Sequence, residues 1–480
     1  SINRIIPQGR MKEKSGAASL FRLGSLLSLV SDNRMWYSFF SKGGRVMAAD
    51  RTGGQKGKHK EWYRLDNAAV VYSAIQKETY SAVYRFSAVM DQPVDPEALQ
   101  RAVDKTMPRF PGFRVRIKPG IFWYYSEFND APGPFVQKDI SNPCQPVRFD
   151  QGDGWLVRFF YYERRISLEV FHAISDGGGA MTLLRTLLAV YLRELGYQIP
   201  NTCGVLDVDQ PPRPEELEDA YARYATVKAR SFTTLKKAYA NAGTPEPFYT
   251  LNVTMGFCSV RQLKEKAKEH GASITEYLTA VLLKVLVDKQ HREGPKKELP
   301  VSLAIPINLR PWFPTESLRN FILTVRPCID PSLGEYTFEE IVSQVHHYLR
   351  LNINRQQMQA ELAGNVKFAR NKFVQIMPIA LKKPGIAFGY WMAGVRPYSG
   401  TYTNPGPFQL PEEMRPHIRR MEVILGQATM PRVHCASISY GDIMEITFAG
   451  TQKETDTERD FFRFLVRDGV HVKVESNRAQ

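Results

Sequence analysis

The sequence contains no long apolar run. An uninterrupted apolar stretch of about 18 or more residues, which a membrane-spanning helix needs, is absent from the chain. We therefore expect no transmembrane segment. Hydrophobic residues make up 43% and charged residues 24% of the 480 residues, so the chain can bury a substantial core and has room for two or three domain-sized units.

Cysteine is scarce, and its placement excludes two kinds of site. The five cysteines are odd in number, lie far apart and form no CxxC pair: Cys144, Cys203, Cys258, Cys328 and Cys435. Disulfide frameworks use even sets in short secreted chains, and structural zinc sites use close pairs. The sequence therefore predicts neither disulfides nor a metal site, and we expect the protein in the reducing cytoplasm.

Acidic residues are few at the start of the chain. Residues 1–60 contain 12 Lys and Arg against 3 Asp and Glu, so this stretch supplies most of the formal charge of +15. A Gly- and Lys-rich stretch such as residues 51–60 favours solvated disorder. We expect residues 1–60 to form a basic, disordered extension with at most a weak peripheral membrane contact and no nucleic-acid partner. We also expect the functional protein to begin near Met47, which would leave residues 1–46 outside it.

Proline marks the expected division of the chain. Between residues 200 and 247 the sequence is rich in Pro, Glu, Lys and Ala, and it includes the run Pro211–Pro214. Such a composition indicates a linker. We therefore predict an N-terminal lobe at residues 61–240 and a C-terminal lobe at residues 245–480.

Alternating and helical patterns recur in both predicted lobes and indicate an α/β protein. Asp95 followed by Pro96 predicts a helix start, and Ser273 with Glu276 forms a capping box before another helix. Strands are expected at residues 80–90, 121–125, 155–162, 165–170, 248–255 and 301–307. Residues 433–440 and 443–448 predict a hairpin that turns at Gly441 and Asp442.

The run Phe171–Gly179 carries the most informative residues. His172 ends a predicted strand, and Asp176 precedes three glycines and an apolar helix. A histidine fixed at a strand end can take a proton from a weak nucleophile, because its ordinary pKa lies near neutral pH. Asp176 is a suitable helix cap. From these residues alone, a structural histidine beside a capping aspartate remains an equal alternative.

Several further runs occur in an order and at spacings that are specific only when taken together. These runs are Trp62–Ala69, Pro108–Pro111, Ile305–Pro311, Leu318–Phe321 and Thr403–Pro407. With the HxxxDG run, they resemble the chloramphenicol acetyltransferase-like superfamily of CoA-dependent acyltransferases. Within that superfamily the chain is most similar to bacterial alcohol acetyltransferases.

Departures from the superfamily's patterns narrow this choice. Nonribosomal peptide condensation domains usually carry two adjacent histidines, whereas Phe171 occupies the first of those positions here. The Asp-Phe-Gly-Trp-Gly signature of the plant-type enzymes is absent. The small trimeric antibiotic acetyltransferases place the motif near the C-terminus, whereas a long second half follows His172 here. A single chain with two lobes fits better.

The resemblance implies a fold and a role for each candidate residue. It implies two chloramphenicol acetyltransferase-like lobes with a tunnel between them, and His172 as the general base in that tunnel. Asp176 would pair with Arg310 of the other lobe and fix the loop that carries His172. Gly177 would give the backbone room near the reaction centre. The possible tunnel-lining residues are Asn404 and Gly406.

The resemblance also implies the substrates. The expected reaction moves an acyl group from acyl-CoA, used as a co-substrate, to a small alcohol, with no bound cofactor and no metal. Two alternatives remain open at this point. The acceptor could be an amine or the donor an acyl carrier protein, as in condensation-like enzymes, or the chain could be a non-catalytic binding protein of the same fold. We expect a monomer.

Overall fold

The computed structural model describes residues 62–77, 80–149, 153–225, 236–241, 243–369, 376–426 and 433–478. Residues 63–480 form one compact unit. The predicted basic extension at residues 1–60 lies outside the described residues. None of the helices within these ranges is long and apolar enough to cross a bilayer.

Sixteen strands and ten α-helices are described. The strands are β1 Trp62–Arg64, β2 Val83–Met90, β3 Val115–Pro119, β4 Tyr124–Phe128, β5 Val136–Lys138, β6 Val157–Tyr162, β7 Arg165–Phe171, β8 Asn252–Ser259, β9 Val301–Asn308, β10 Ile322–Val325, β11 Cys328–Ile329, β12 Gly400–Thr403, β13 Ile418–Leu425, β14 Val433–Tyr440, β15 Ile443–Gly450 and β16 Lys473–Ser476. The helices are α1 Asn67–Ile75, α2 Pro96–Thr106, α3 Gly177–Glu194, α4 Ala220–Tyr224, α5 Val260–Glu269, α6 Ile274–Glu293, α7 Phe338–Asn352, α8 Arg355–Ala369, α9 Ile379–Tyr390 and α10 Asp456–Arg467.

Two large sheets organise the chain. The first has five strands in the order β13, β2, β7, β6, β5, and the second joins β10, β9, β12, β14, β15, β8 and β16, with β11 beside β9. In the second sheet β12 runs parallel to both β9 and β14, whereas β14, β15 and β8 are antiparallel neighbours. The predicted α/β class with two sheet-based lobes is therefore confirmed.

Several predicted element boundaries hold because local side chains determine them. Asp95 accepts from the N–H groups of Glu97 and Ala98 at the start of α2, and Ser273 and Glu276 form the predicted capping box of α6. The predicted hairpin is β14 and β15. Such caps satisfy backbone N–H groups that have no partner inside the helix, which is why they mark helix ends in the sequence.

Other predictions were wrong or too broad. The aromatic run at residues 121–125 is mostly not a strand, because β4 begins only at Tyr124. The strand expected from residue 248 begins at Asn252, after a short turn in which Phe248 adopts a left-handed backbone with φ of 53°. In both places the aromatic side chains suggested a strand, but the first residues of the run form a turn and the strand begins a few residues later.

The sheets do not follow the linear division of the chain. Strand β13 lies in the C-terminal half, yet it pairs antiparallel with β2 along the edge of the first sheet. Its buried residues, including Met421 and Val423, join the hydrophobic core formed by the N-terminal half. The boundary at residues 240–245 stays a prediction, but a clean cut there would separate β13 from its sheet.

One buried carboxyl group in the second sheet forms no ion pair with any of the described residues. Glu445 of β15 is fully buried, and neither of its carboxyl oxygens makes a well-formed hydrogen bond to a described residue. The neighbouring Glu422 is already paired with Arg165 and Arg420. Burial raises the pKa of Glu445 well above its ordinary 4.5, Glu422 raises it further, and the Val423 N–H and Arg420 offset only part of this effect.

We expect Glu445→Gln to stabilise the protein at alkaline pH. The folded-state pKa is raised, so the folded chain holds a proton that the unfolded chain releases, and wild-type stability falls as pH rises above about 4.5. Glutamine cannot ionise, so the variant should gain roughly 1 to 3 kcal/mol at pH 8 and little near pH 4.5. Urea unfolding midpoints at both pH values measure this. If the free energy of unfolding of the wild type and that of the variant changed with pH in the same way, the prediction would be wrong.

Candidate active site

His172 lies where the first sheet ends. Strand β7 stops at Phe171, which is opposite Val83 of β2, and the backbone N–H of His172 continues this pairing by donating to the Ala82 carbonyl at 2.7 Å. The residues before it are buried, whereas His172 itself is half-buried. The sheet therefore fixes the histidine backbone and leaves part of the residue accessible to solvent.

The imidazole ring has a specific polar partner, Asn320. The Nδ1 atom of His172 lies 3.1 Å from Asn320 Oδ1, and Asn320 Nδ2 donates to the His172 carbonyl at 2.9 Å. With the amide in this orientation, its oxygen faces Nδ1 and accepts a hydrogen bond, so Nδ1 carries the proton. The other ring nitrogen, Nε2, then has a free lone pair, which is the state that a general base requires.

Aromatic rings enclose the imidazole. Tyr72 of α1 stacks on it with ring centroids 4.6 Å apart, and Tyr84 of β2 meets it edge-on at 5.0 Å. Burial lowers the pKa of His172 below its ordinary 6.5, and its own backbone carbonyl, Asp176 and Asn320 oppose this effect only in part. The neutral form is therefore favoured at pH 7.

Asp176 is the N-cap of α3 and also an ion-pair partner. Its Oδ1 accepts from the N–H groups of Gly178 and Gly179 at 3.0 and 3.2 Å. Its Oδ2 accepts from Arg310 Nη1 and from the Phe321 N–H, both at 2.8 Å. All four donors converge on one carboxylate that is almost completely buried. Asp176 thus links the start of α3 to the segments that follow β9.

Arg310 holds the segment that carries Asn320. Besides Asp176, its guanidinium donates to the carbonyl oxygens of Ser317 and Arg319 and to Asn308 Oδ1. The resemblance implied an ion pair between Arg310 and Asp176, and the structure brings the two side chains into contact. Because Asn320 follows Arg319 directly, the ion pair also sets the position of the amide that orients His172.

A second ion pair ties the same segment to α1. Arg319 donates to the Arg64 carbonyl and lies 3.4 Å from a carboxyl oxygen of Asp66, the residue that caps α1. Helix α1 carries Tyr72. The stacking ring and the amide partner of His172 are thus held by adjoining parts of one polar network.

Three contributors to the site were not assigned from the sequence. Asn320 lay in a run that the resemblance quoted but gave no role, and Tyr72 and Tyr84 carried no motif signal at all. Each of the three contacts His172 from a distant part of the chain. Only the quoted Leu318–Phe321 run offered a signal that could have identified one of them.

The glycine with the strongest steric requirement is Gly179, not Gly177. A Cβ at Gly177 would meet only Phe86, at 3.6 Å, which is an ordinary contact. A Cβ at Gly179 would lie 2.1 Å from the Leu318 carbonyl oxygen and 2.2 Å from Ser175 Oγ. These two atoms also form a hydrogen bond of 2.6 Å. Protein packing therefore gives no need for glycine at 177, whereas close approach of the two halves requires it at 179.

We expect Gly179→Ala to destabilise the protein and Gly177→Ala to be nearly neutral. The methyl group at 179 must push the Leu318 backbone away, which costs about 1 to 3 kcal/mol even after the better helix propensity of alanine is counted. Gly177→Ala is the matched control, because it makes the same chemical change two residues away in the same helix. Urea midpoints measure the difference, and equal midpoints would contradict the steric argument.

Asn404 and Gly406 lie on the loop after β12. Asn404 Nδ2 donates to Thr275 Oγ1 at 3.2 Å, and its Oδ1 accepts from the Gly406 N–H at 2.9 Å. Gly406 has φ of +88°, a conformation that favours glycine. These contacts anchor the loop to the start of α6 and do not join it to His172. A tunnel-lining role for both residues stays a prediction.

The described ranges hold no group of three His, Cys, Asp or Glu side chains arranged to bind a metal ion. The chemistry that the arrangement can supply is acid–base chemistry, from one neutral imidazole with an oriented ring.

Comparison with known proteins gives a result at the level of structure only. No family model matches the sequence, and no similar protein was found among curated sequences. Polyketide synthase associated protein 5 from Mycobacterium tuberculosis superposes with a TM-score of 0.56 at 19% identity, over 84% of this chain and 96% of that chain. Trichothecene 15-O-acetyltransferase from Fusarium sporotrichioides gives 0.55 at 9% identity, over 87% and 96%.

The chain has the two-lobed chloramphenicol acetyltransferase-like fold. The starter condensation domain of rhizomide synthetase, in complex with C8-CoA and Leu-SNAC, shares this fold with a TM-score of 0.53 at 13% identity, over 84% of this chain and 93% of that chain. The fold thus accommodates both an O-acetyltransferase and a condensation domain. The roles of the site residues, and the similarity to alcohol acetyltransferases, stay predictions.

Proposed function

We propose that this protein transfers an acyl group from acyl-CoA to the hydroxyl group of an alcohol, with His172 as the general base. The observation that carries the proposal is the hydrogen bond between His172 Nδ1 and Asn320 Oδ1. It leaves Nε2 unprotonated on a ring that is held by aromatic neighbours, in a residue that is half-buried. A purely structural histidine has no need of a free nitrogen in a half-buried residue.

The proposed reaction conserves every atom and proton. Nε2 of His172 takes the proton of the acceptor hydroxyl as its oxygen attacks the thioester carbonyl carbon. The carbon–sulfur bond then breaks, and the proton on Nε2 passes to the leaving sulfur, which gives an ester and free CoA. No covalent acyl-enzyme is formed. Positioned acid–base catalysis contributes about 10² to 10⁴-fold, and holding both reactants together contributes much of the rest.

Asp176 and Arg310 are proposed as supports and not as reacting groups. The carboxylate of Asp176 is fully engaged by two helix N–H groups, the Phe321 N–H and Arg310. It therefore has no free oxygen with which to accept a substrate proton. Its contribution is to hold the loop of His172 and the segment of Asn320 in one arrangement.

An acceptor and donor panel tests the proposal. Purified protein is incubated with acetyl-CoA or longer acyl-CoAs and with alcohols or amines, while free thiol is followed. Acceptor-dependent thiol release with alcohols supports O-acyl transfer from CoA. Thiol release only with amines, or acyl transfer only from an acylated carrier protein, would replace the proposal by condensation-like transfer. The starter condensation domain that shares the fold was solved in complex with C8-CoA. CoA binding without turnover under any condition would indicate a binding protein.

A further inference from the structure

Helix α9 exposes an unusual row of large apolar side chains. Met377, Leu381, Phe388 and Trp391 are 41 to 69% exposed. Leu381, Phe388 and Trp391 are spaced by seven and three residues, which places them on one side of the helix, and Met377 lies just before Pro378 at the helix start. Ile376, which precedes them, is 63% exposed as well. We refer to these five residues as the α9 face. Contiguous exposed apolar side chains of this kind mark an interaction surface.

The opposite side of α9 is packed against the protein. Lys382 donates to the Phe122 carbonyl at 2.8 Å and lies over the Trp123 ring at 3.5 Å. Ile386 is buried in the first core, and the Tyr390 hydroxyl lies 3.3 Å from that of Tyr80. The helix is therefore fixed in place with its apolar side outward. The exposure of these side chains does not result from a poorly packed segment.

The α9 face lies close to the candidate site. Tyr80, which contacts the last turn of α9, is two residues before Ala82, the acceptor of the His172 backbone N–H. Helix α9 also packs on α1, the helix whose Tyr72 stacks on His172. Anything that docks on this face would be held on the outer side of a helix that packs against α1, the helix of Tyr72.

Charge along the sequence around α9 has one sign. Asp and Glu number 49 in 480 residues, about one in ten, yet residues 362–411 contain none. The same fifty residues contain six cationic side chains: Lys367, Arg370, Lys372, Lys382, Lys383 and Arg396. Within α9 itself Lys383 is exposed, whereas Lys382 packs on the Trp123 ring. An exposed apolar helix in a stretch of sequence that carries cations and no acid fits a helix that lies in the interface of an anionic bilayer.

We propose that the α9 face docks the protein onto the surface of an anionic lipid bilayer. The apolar side chains would enter the boundary between headgroups and acyl chains, and the positive charge of this acid-free stretch would be attracted to lipid phosphates. The acid-free stretch favours lipid over a second copy of this chain, because two copies would bring like charges together. This surface differs from the basic N-terminal extension, for which the sequence predicts only a weak contact.

Docking would also define the substrate class, and this step rests on the proposed function. A site held at a bilayer surface receives acceptors or acyl chains that partition into lipid. Lipophilic alcohols or long-chain acyl-CoAs presented in vesicles would then be used better by the wild type than by a variant that cannot dock. The same variant would keep its turnover with a fully water-soluble acceptor.

Vesicle flotation of the full-length protein tests the docking directly. Phosphatidylcholine vesicles are compared with vesicles that also contain phosphatidylglycerol, for the wild type, Leu381→Glu and Phe388→Glu. The matched control is Leu333→Glu, because Leu333 is 78% exposed in a turn outside the α9 face. Circular dichroism and size-exclusion chromatography check that each variant is folded and report its oligomeric state.

We expect wild type and Leu333→Glu to float with the anionic vesicles and each α9 variant to bind about tenfold more weakly, because a charged side chain replaces one that would enter lipid. Added salt should weaken wild-type binding. Binding that survives both α9 substitutions, or no binding at all, would overturn the proposal. A wild-type dimer that Leu381→Glu dissociates would also overturn it, in favour of a second copy. Flotation measures membrane binding without turnover. The docking proposal can therefore be tested even if the proposed acyltransferase activity is not found.

Discussion

His172→Ala should lower kcat/KM for acyl transfer by about 10² to 10⁴-fold, the usual contribution of a positioned general base. The substitution removes the imidazole and leaves the backbone hydrogen bond to Ala82 and the supporting ion pair in place. The dissociation constant for CoA should therefore change little. Steady-state thiol release and direct CoA binding measure the two quantities separately.

His347→Ala is the control for this prediction. His347 is exposed on α7 and belongs to no part of the site. Its replacement should leave kcat/KM within about twofold of the wild type, as is usual for surface substitutions. If His172→Ala kept full turnover with an unchanged fold, the general-base role would be refuted. If it lost turnover only because it lost CoA binding, the histidine would be a binding residue.

Asp176→Asn should cost about 3 to 5 kcal/mol of folding free energy, because it breaks one side of a largely buried ion pair and strands Arg310. Asparagine keeps the size of aspartate and can still cap α3. Its amide N–H groups, however, would face the Arg310 guanidinium or the Phe321 N–H, where only an acceptor fits. Activity should fall as well, since the same contacts position Asn320.

Asp95→Asn is the matched control for this charge removal. Asp95 caps α2 by accepting two N–H groups and makes no ion pair to any residue within the described ranges. Asparagine caps helices about as well as aspartate, so this change should alter stability by only a few tenths of a kcal/mol. Urea unfolding of both variants gives the comparison. Equal losses at the two positions would show that the pair with Arg310 contributes nothing beyond capping.

Local chemistry made much of the fold predictable. Asp95 before Pro96 and the capping box of Ser273 identify helix starts, because the partners lie within three residues of the cap. The alternating pattern before His172 and the helical pattern after Asp176 placed both residues at a strand-to-helix corner, where the structure has them. Patterns of this kind carry information because the contacts that they describe are close in sequence.

The remaining features depend on contacts that are distant in sequence. Asn320 meets His172 across 148 positions, and the Leu318 carbonyl that excludes a side chain at Gly179 lies in the other half of the chain. Strand β13 pairs with the first sheet, but nothing in its own sequence indicates with which sheet it pairs. Periodicity and motif spacing do not contain such pairings, which is why the need for glycine at 179 was not predicted; the role of Gly177 near the reaction centre stays a prediction.

The pH dependence of kcat/KM tests the central claim that a neutral His172 removes the acceptor proton. Burial lowers the pKa of this histidine, and the active form is the unprotonated one, so activity should be constant at alkaline pH and fall along an acid limb whose midpoint lies below 6.5. The profile is measured by thiol release from pH 5 to 9 with an alcohol acceptor whose own pKa lies far above this range. An acid limb centred above pH 6.5, or a flat profile that His172→Ala does not change, would contradict the account.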